Sequence, residues 1–117
     1  MANLPDQALE QVANYFRALA EPTRLKILNQ LRSGEQNVGD LAQACHCTVA
    51  NASKHLSLLA KHGLVSKRNR GTHAFYQIDD PTIYELCDLV CGNIVRQLDK
   101  QTEFAALMRA ASASSKT

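Results

Sequence analysis

Apolar residues recur every three or four positions along most of this chain, a spacing typical of helices that bury one face. The first set predicts a helix from Asp6 to Ala18 and comprises Leu9, Val12, Phe16 and Leu19. A second helix begins at Glu21-Pro22, because a proline in the first turn gives up only an N–H that has no helical partner. It ends at Gly34, and its buried face comprises Leu25, Ile27, Leu28 and Leu31.

Two shorter helices follow, joined by a tight turn. Asn37 caps the third helix, with Asp40 three residues later as a partial capping box, and the inward face comprises Val38, Leu41 and Ala44. Cys45-His46-Cys47 forms the turn, and Thr48 caps the fourth helix, which stops at Gly63. The buried stripe of that helix comprises Ala52, Leu56 and Leu59. Two short helices with a tight turn between them predict a helix-turn-helix.

The pattern then changes to strand character from Leu64 to Arg70 and from His73 to Ile78. Pro81 restarts a helix that runs to about Lys100, with an apolar stripe of Ile83, Leu86, Cys87, Val90, Cys91, Ile94 and Leu98. This order predicts a mainly α fold with a small β-hairpin. It is a winged helix-turn-helix, α-α-α-α-β-β-α, with additional helices at both ends.

Length and composition restrict the class of protein. A chain of 117 residues is one domain, assigned here to residues 1–109, with a small, polar tail at 110–117 that we expect to be disordered. The first residues lack the features of a secretion signal, and no apolar run approaches the roughly 20 residues of a membrane span. We therefore expect a cytoplasmic protein without membrane contact. We expect no enzyme, since no Gly-rich phosphate loop or paired carboxylates occur and no cysteine has an obvious general base.

Charge is segregated along the chain. From Leu41 to Ile78 there is no Asp or Glu, whereas five Lys and Arg residues and all four histidines fall there. This basic window therefore carries +5, and the rest of the chain, with 8 basic and 11 acidic residues, carries −3. Such segregation is typical of a surface that binds a polyanion.

The basic window coincides with the predicted helix-turn-helix and hairpin, which favours DNA as the polyanion. Helix-turn-helix proteins place the start of the second helix in the major groove, so the candidates there are Thr48, Val49, Asn51, Ser53, Lys54 and His55. Asn51 suits an adenine edge, and Lys54 suits guanine or phosphate. A wing reaches phosphates or the minor groove, and its candidates are Lys67, Arg68, Arg70, Thr72 and His73. The alternatives are a merely solvated face or a winged helix that binds another protein.

Four cysteines in a cytosolic chain favour thiols, metal ligands or redox sensors over structural disulfides. Cys87 and Cys91 are four residues apart on the last helix, so both sulfurs lie on one face. Soft thiolates favour Cu(I), Zn(II), Cd(II) or As(III), and such a pair could also be oxidised or persulfidated. Cys45 and Cys47 could share a metal only with a third ligand from elsewhere. Burial explains Cys45 in the core, and Cys87 and Cys91 in a dimer interface, without any ligand. Cys47 is expected to be exposed in the turn, and both interpretations stay open.

Several segments resemble the ArsR/SmtB family of bacterial repressors. They are Ala18-Leu19-Ala20-Glu21-Pro22-Thr23-Arg24-Leu25-Lys26-Ile27-Leu28, Val38-Gly39-Asp40-Leu41-Ala42, Ser53-Lys54-His55-Leu56-Ser57-Leu58-Leu59, Gly63-Leu64-Val65 and His73-Ala74-Phe75-Tyr76-Gln77-Ile78. The resemblance implies a homodimer through the first and last helices, an inverted-repeat operator and release by an inducer. The interface so implied comprises Val12, Phe16, Ile83, Leu86, Cys87, Val90, Cys91, Ile94 and Leu98.

The resemblance also implies where metal ligands would be found. The arsenic- and cadmium-type site needs a Cys-x-Cys where this chain has Asn37-Val38-Gly39. The zinc-type site on the last helix retains Asp80, but its other positions hold Thr82, Asn93 and Arg96. Both sites are therefore expected to be absent. The inducer stays open between a thiophilic metal, a metalloid, reactive sulfur or an oxidant bound by cysteines, a non-metal ligand, and no ligand.

Overall fold

The computed structural model describes residues 3–115, with side chains described as far as residue 113. In chain order the elements are α1 (Asp6–Leu19), α2 (Pro22–Gln30), a 3₁₀ turn (Leu31–Ser33), β1 (Gln36–Asn37), α3 (Val38–Ala44), α4 (Val49–Lys61), β2 (Val65–Arg70), β3 (His73–Ile78) and α5 (Thr82–Ser115). The chain forms two compact units, and the boundary between them lies between Asp80 and Pro81. Within the described residues, no helix has the length and apolarity needed to cross a bilayer.

Side-chain caps fix where the helices of the first unit begin. The Asn37 side chain accepts the Asp40 backbone N–H at 2.8 Å and donates to the Asp40 carboxylate at 3.1 Å, which completes the predicted capping box. Thr48 Oγ1 accepts the Asn51 N–H at 3.0 Å, so the predicted start of α4 is confirmed. Glu21 is the N-cap of α2, and its carboxylate accepts the Arg24 N–H at 3.0 Å.

The core of the first unit is aliphatic, and the predicted stripe of α4 is buried. On α3 the prediction was wrong at Ala44, which is exposed, while Ala42 and Cys45 are buried beside Leu41. Residues six apart on a helix are rotated by about 120° from each other, so Ala44 cannot share the face of Val38. On α2, Leu25 was also predicted to be buried but is 43% exposed.

The hairpin is part of a three-stranded antiparallel sheet in the order β1-β3-β2. The register pairs Val65 with Ile78 and Arg70 with His73, and Gly71 closes the turn at φ 62°. The sequence did not predict β1, which pairs only two residues with β3. A strand of two residues has no period-two pattern by which it could be recognised.

The last helix is longer than the sequence predicted. It continues past Lys100 to Ser115, so the disordered tail expected from residue 110 is wrong as far as 115, and residues 116–117 lie outside the described part. From residue 93 onward the chain contains no Gly or Pro, and Ala, Leu, Met, Gln and Arg favour helix. The single domain expected over residues 1–109 stays a prediction.

One arginine joins three helices of the first unit. Arg24 Nε donates to the Ala18 carbonyl at 2.6 Å, and Nη2 donates to the Arg17 carbonyl at 3.0 Å. Carbonyls in the last turn of a helix lack their usual helical donor. The Ala20 N–H also donates to the Arg17 carbonyl, at 3.2 Å, so backbone and guanidinium together cap α1. Its Nη1 also lies 3.3 Å from His55 Nδ1 on α4, and His55 Nε2 lies 3.8 Å from a Glu21 carboxylate oxygen. We call Glu21, Arg24 and His55 the Arg24 cluster.

The carboxylate of this cluster is held in its charged form. Burial acts to raise the pKa of Glu21, but the backbone N–H groups of Arg24 and Thr23, together with the charges of His55 and Arg24, hold it below its ordinary value of 4.5. The negative form therefore fits the folded state better than the unfolded chain. Glu21 contributes stability above its unfolded pKa, and this contribution is lost as the pH falls through the folded pKa.

Replacing Arg24 with Gln should lower the free energy of unfolding by about 2 kcal/mol. The change removes two hydrogen bonds from a charged group and leaves the α1 carbonyls without these donors. Urea unfolding at a fixed protein concentration measures the loss. Lys26→Gln, at an exposed position of the same helix, is the matched control and should change stability by less than about 0.5 kcal/mol. Equal stabilities for the two variants would show that Arg24 does not cap α1.

Glu21→Gln should change how stability depends on pH. A glutamine can still cap α2 through its carbonyl oxygen, but it carries no charge toward His55 and Arg24. The stability difference between wild type and variant should shrink as the pH falls below 4.5, the ordinary value from which the pKa of Glu21 is lowered. Unfolding curves between pH 3 and 7 test this, since the other carboxyls titrate equally in both proteins. A difference that is the same at every pH contradicts a role for the charge.

Candidate nucleic-acid interface

The buried stripe of α4 determines which of its side chains face outward. Ala52, Leu56 and Leu59 are fully buried, and the opposite side of the first two turns exposes Val49, Asn51 and Lys54, with Thr48 exposed at the N-cap. Ser53 is half-buried beside the stripe. The start of α4 therefore presents an amide, an ammonium and a hydroxyl, which are groups that bind base edges and phosphates.

The turn between α3 and α4 is closed by backbone hydrogen bonds. The N–H groups of Cys45, His46 and Cys47 donate to the carbonyls of Leu41, Gln43 and Ala42 at 2.9, 3.2 and 3.0 Å. His46 adopts a left-handed backbone at φ 55°, which a single residue at a helix C-terminus commonly does. This closure fixes how α4 leaves the turn, and it leaves the His46 side chain exposed.

His55, a predicted DNA contact, belongs to the Arg24 cluster. Its side chain is only 16% exposed, and both ring nitrogens face charged groups of α2 and its N-cap. With Nδ1 accepting from Arg24, the proton of a neutral ring sits on Nε2, toward Glu21. The structure therefore gives His55 a place in holding α4 to α2. Its contact with DNA stays a prediction.

The wing carries exposed basic side chains on both faces. Lys67 pairs with Tyr76 across the ladder and Arg68 pairs with Phe75, and directly opposite residues share a face. Lys67 and Arg68 therefore point to opposite sides of the hairpin, and both are exposed. Thr72 and His73 are also exposed, at the turn and at the start of β3.

Arg70, another predicted contact, has partners within the chain. Its Nη2 lies 3.2 Å from a Glu35 carboxylate oxygen, and its guanidinium carbon lies 5.4 Å from the centroid of the Phe75 ring. The Arg70 side chain is still 57% exposed. It fastens the tip of the wing to the loop before β1, and a phosphate would have to compete with Glu35 for it.

Sequence reasoning missed three residues that hold this interface, namely Glu21, Arg24 and Glu35. Glu21 is visible as a helix start through the Pro that follows it. Nothing local indicates the other two contacts, because Arg24 and His55 are 31 residues apart and Glu35 and Arg70 are 35 apart. Such pairings are set by tertiary packing.

Each of the four cysteines is a thiol. Burial, reinforced by the neighbouring Cys47, raises the pKa of the Cys45 thiol, against a smaller opposing effect of Lys26. Cys47 and Cys87 are half-buried and Cys91 is exposed. Among residues 3–113, no three His, Cys, Asp or Glu side chains are grouped closely enough to hold a metal ion. The expected burial of Cys45 is confirmed.

The predicted dimer interface differs in exposure from residue to residue. On α1, Val12 is half-buried and Phe16 is 49% exposed. On α5, Ile83 is only 2% exposed within the chain, so little of its surface is left for a partner. Leu86 and Cys87 are half-buried, and the members of the stripe that remain exposed are Val90, Cys91, Ile94 and Leu98.

Comparison with known proteins shows to which protein family the chain belongs. The family model described as bacterial regulatory protein, arsR family, matches residues 21–67. The HTH-type transcriptional regulator NmtR of Mycobacterium tuberculosis is 40% identical over 87 residues, covering 74% of this chain and 72% of that protein. A probable mercury resistance operon repressor of Streptomyces lividans is 35% identical over 85 residues, covering 73% and 68%.

The fold agrees with solved structures. The homodimeric winged helix-turn-helix DNA-binding domain of a possible ArsR-family regulator from Mycobacterium bovis superposes with a TM-score of 0.71 at 35% identity, covering 85% of this chain and 94% of that one. The predicted winged helix-turn-helix and the resemblance to ArsR/SmtB proteins are both confirmed. The fold and the family are those of DNA-binding regulators and not of enzymes. The chain therefore belongs to the arsR family of bacterial regulatory proteins and is a DNA-binding transcriptional regulator.

Proposed function

We propose that the chain is a cytoplasmic repressor that binds an inverted-repeat operator as a homodimer and leaves it when an inducer binds. The observation that carries this proposal is the start of α4, where Asn51 and Lys54 are exposed inside a basic window without acidic residues. Asn51 would bond an adenine edge and Lys54 a guanine or a phosphate. Lys67 and Arg68 on the wing would bind phosphates.

Exposed apolar surface on the helices at the two ends of the chain supports the dimer. Leu89, Val95 and Leu98 of α5 are 70%, 55% and 55% exposed, and Phe16 of α1 is 49% exposed. Large apolar side chains in such number indicate a surface that another chain covers. An inverted repeat calls for a protein with two-fold symmetry, and the similar M. bovis domain is a homodimer.

Cys87 and Cys91 are the best candidates for sensing. They share one face of α5, and Cys91 is exposed while Cys87 is half-buried. Two copies of this pair in a dimer would supply four thiolates, a donor set that thiophilic metals prefer. The S. lividans relative is named as a probable mercury resistance operon repressor, which supports a thiophilic inducer here. Cys45 and Cys47 fit this role less well, because Cys45 is buried in the core and its thiol pKa is raised.

Binding to the DNA upstream of the protein's own gene should depend steeply on salt. Each phosphate contact contributes about −0.9 to the slope of log K against log salt. Lys67→Gln should therefore make the slope shallower by about 1.8 for two copies, whereas Asn51→Ala should cost about 1–3 kcal/mol per half-site and relax sequence preference. Fluorescence anisotropy over a salt series measures both effects.

Lys26→Gln is the matched control for these variants, because Lys26 is exposed on α2, outside the basic window. It should leave both slope and affinity unchanged. A wild-type affinity that does not vary with salt would mean that no phosphates are contacted. The basic window would then be a solvated face or a surface for a protein partner.

Cys87→Ser/Cys91→Ser should abolish the response to inducer and leave DNA binding intact. Metal-free, reduced protein is titrated onto DNA, and Hg(II), Cd(II), As(III) and a persulfide donor are added in turn. At least one should release the wild type from DNA. Cys47→Ser, which changes a half-buried thiol in the turn, is the control and should respond as the wild type does. A response that survives in the double variant would assign Cys87 and Cys91 to packing.

A further inference from the structure

A cleft of about 390 Å³ lies in the first unit between the end of α1, the start of α2 and the last turn of α4. This volume falls within the range of small-molecule sites, which are concave and combine an apolar wall with a few convergent polar groups. Ala18 and Leu58 supply the apolar wall, and the polar lining comprises Asn14, Arg17, Arg24, Lys61 and His62.

The lining carries charge of one sign only. Arg17, Arg24 and Lys61 come from three different helices, and His62 directly follows the end of α4. No Asp or Glu lines the cleft. Concave surfaces lined by a single sign of charge raise the local concentration of counter-ions, so the electrostatics favour an anion.

Hydrogen-bond donors remain for such an anion. A guanidinium has five N–H donors, and in the described part of the chain the two α1 carbonyls and His55 account for three of those of Arg24. Arg17 donates to the Asn14 side-chain oxygen through Nη1, one of its nitrogens, and Lys61 is exposed. Guanidinium and ammonium groups together match the paired oxygens of a carboxylate or a phosphate.

The cleft lies away from the end of α4 that would read DNA. Lys61 is ten residues beyond Asn51, which is about 15 Å along the helix axis. We propose that this cleft binds a small organic anion bearing carboxylate or phosphate groups, at a site separate from the DNA-reading residues. An anion on the remaining donors of Arg24 would share the guanidinium with His55, so we expect occupancy to alter how α4 is held. That last consequence rests on the proposed function, whereas binding itself does not.

Binding can be tested with the full-length protein in the absence of DNA. Amide ¹H–¹⁵N spectra are recorded while inorganic phosphate or succinate is added at constant ionic strength, with neutral succinamide and sodium chloride as controls. Phosphate, succinate or both should give saturable shifts at Asn14, Arg17, Leu58, Lys61 and His62. Arg17→Gln/Lys61→Gln should weaken this binding by about tenfold or more. Both positions are exposed, so an unchanged unfolding midpoint confirms that the variant is folded.

Lys26→Gln is the matched control, since it removes an exposed charge of α2 that does not line the cleft, and it should leave anion affinity unchanged. Three results would overturn the proposal. They are shifts that sodium chloride reproduces, equal binding of succinamide, and shifts confined to the start of α4 and the wing. The last would show that these anions occupy the phosphate sites of the DNA surface. Since the spectra are recorded without DNA, none of these results depends on whether the protein represses transcription.

Discussion

The C-terminal carbonyls of α1 need hydrogen-bond donors, which backbone N–H groups and the Arg24 side chain supply. Backbone acceptors at a helix end need partners, and Arg24 supplies donors to two of them from the first turn of α2. The same guanidinium reaches His55, whose other ring nitrogen faces Glu21. The end of α1, the start of α2 and the middle of α4 are thereby fixed relative to one another. The exposed start of α4, with Asn51 and Lys54, therefore belongs to a helix that the Arg24 cluster holds to α2.

Two acidic residues from outside the basic window lie next to basic side chains of the window. Glu21 faces His55, and Glu35 pairs with Arg70, so two groups of the window are balanced by carboxylates distant in sequence. The remaining cations of the window are exposed, namely Lys54, Lys61, Lys67 and Arg68. Charge counting along the sequence treated all the basic side chains of the window alike. It could not show that His55 and Arg70 face carboxylates, because neutralisation depends on three-dimensional neighbours.

Local rules predicted much of the fold. Spacing and turn chemistry act over a few residues, and they correctly predicted the caps at Asn37 and Thr48, the stripe of α4 and the two strands of the hairpin. The exposure of Ala44, the strand β1 and the contacts of His55 and Arg70 depend on packing between distant segments, so no local pattern contains them. The continuation of α5 to Ser115 is a different case, because a local signal for it exists. The helix-forming residues from position 93 onward outweigh the small, polar residues of the tail.

A repressor must also convert inducer binding into a change at α4, and an inducer can do this only if it binds the two states with different affinities. Cys87 and Cys91 lie on α5, which holds none of the proposed DNA contacts. An anion in the cleft would act on Arg24 directly. That guanidinium contacts α4 through His55, so an anion there would act on the helix that carries Asn51 and Lys54.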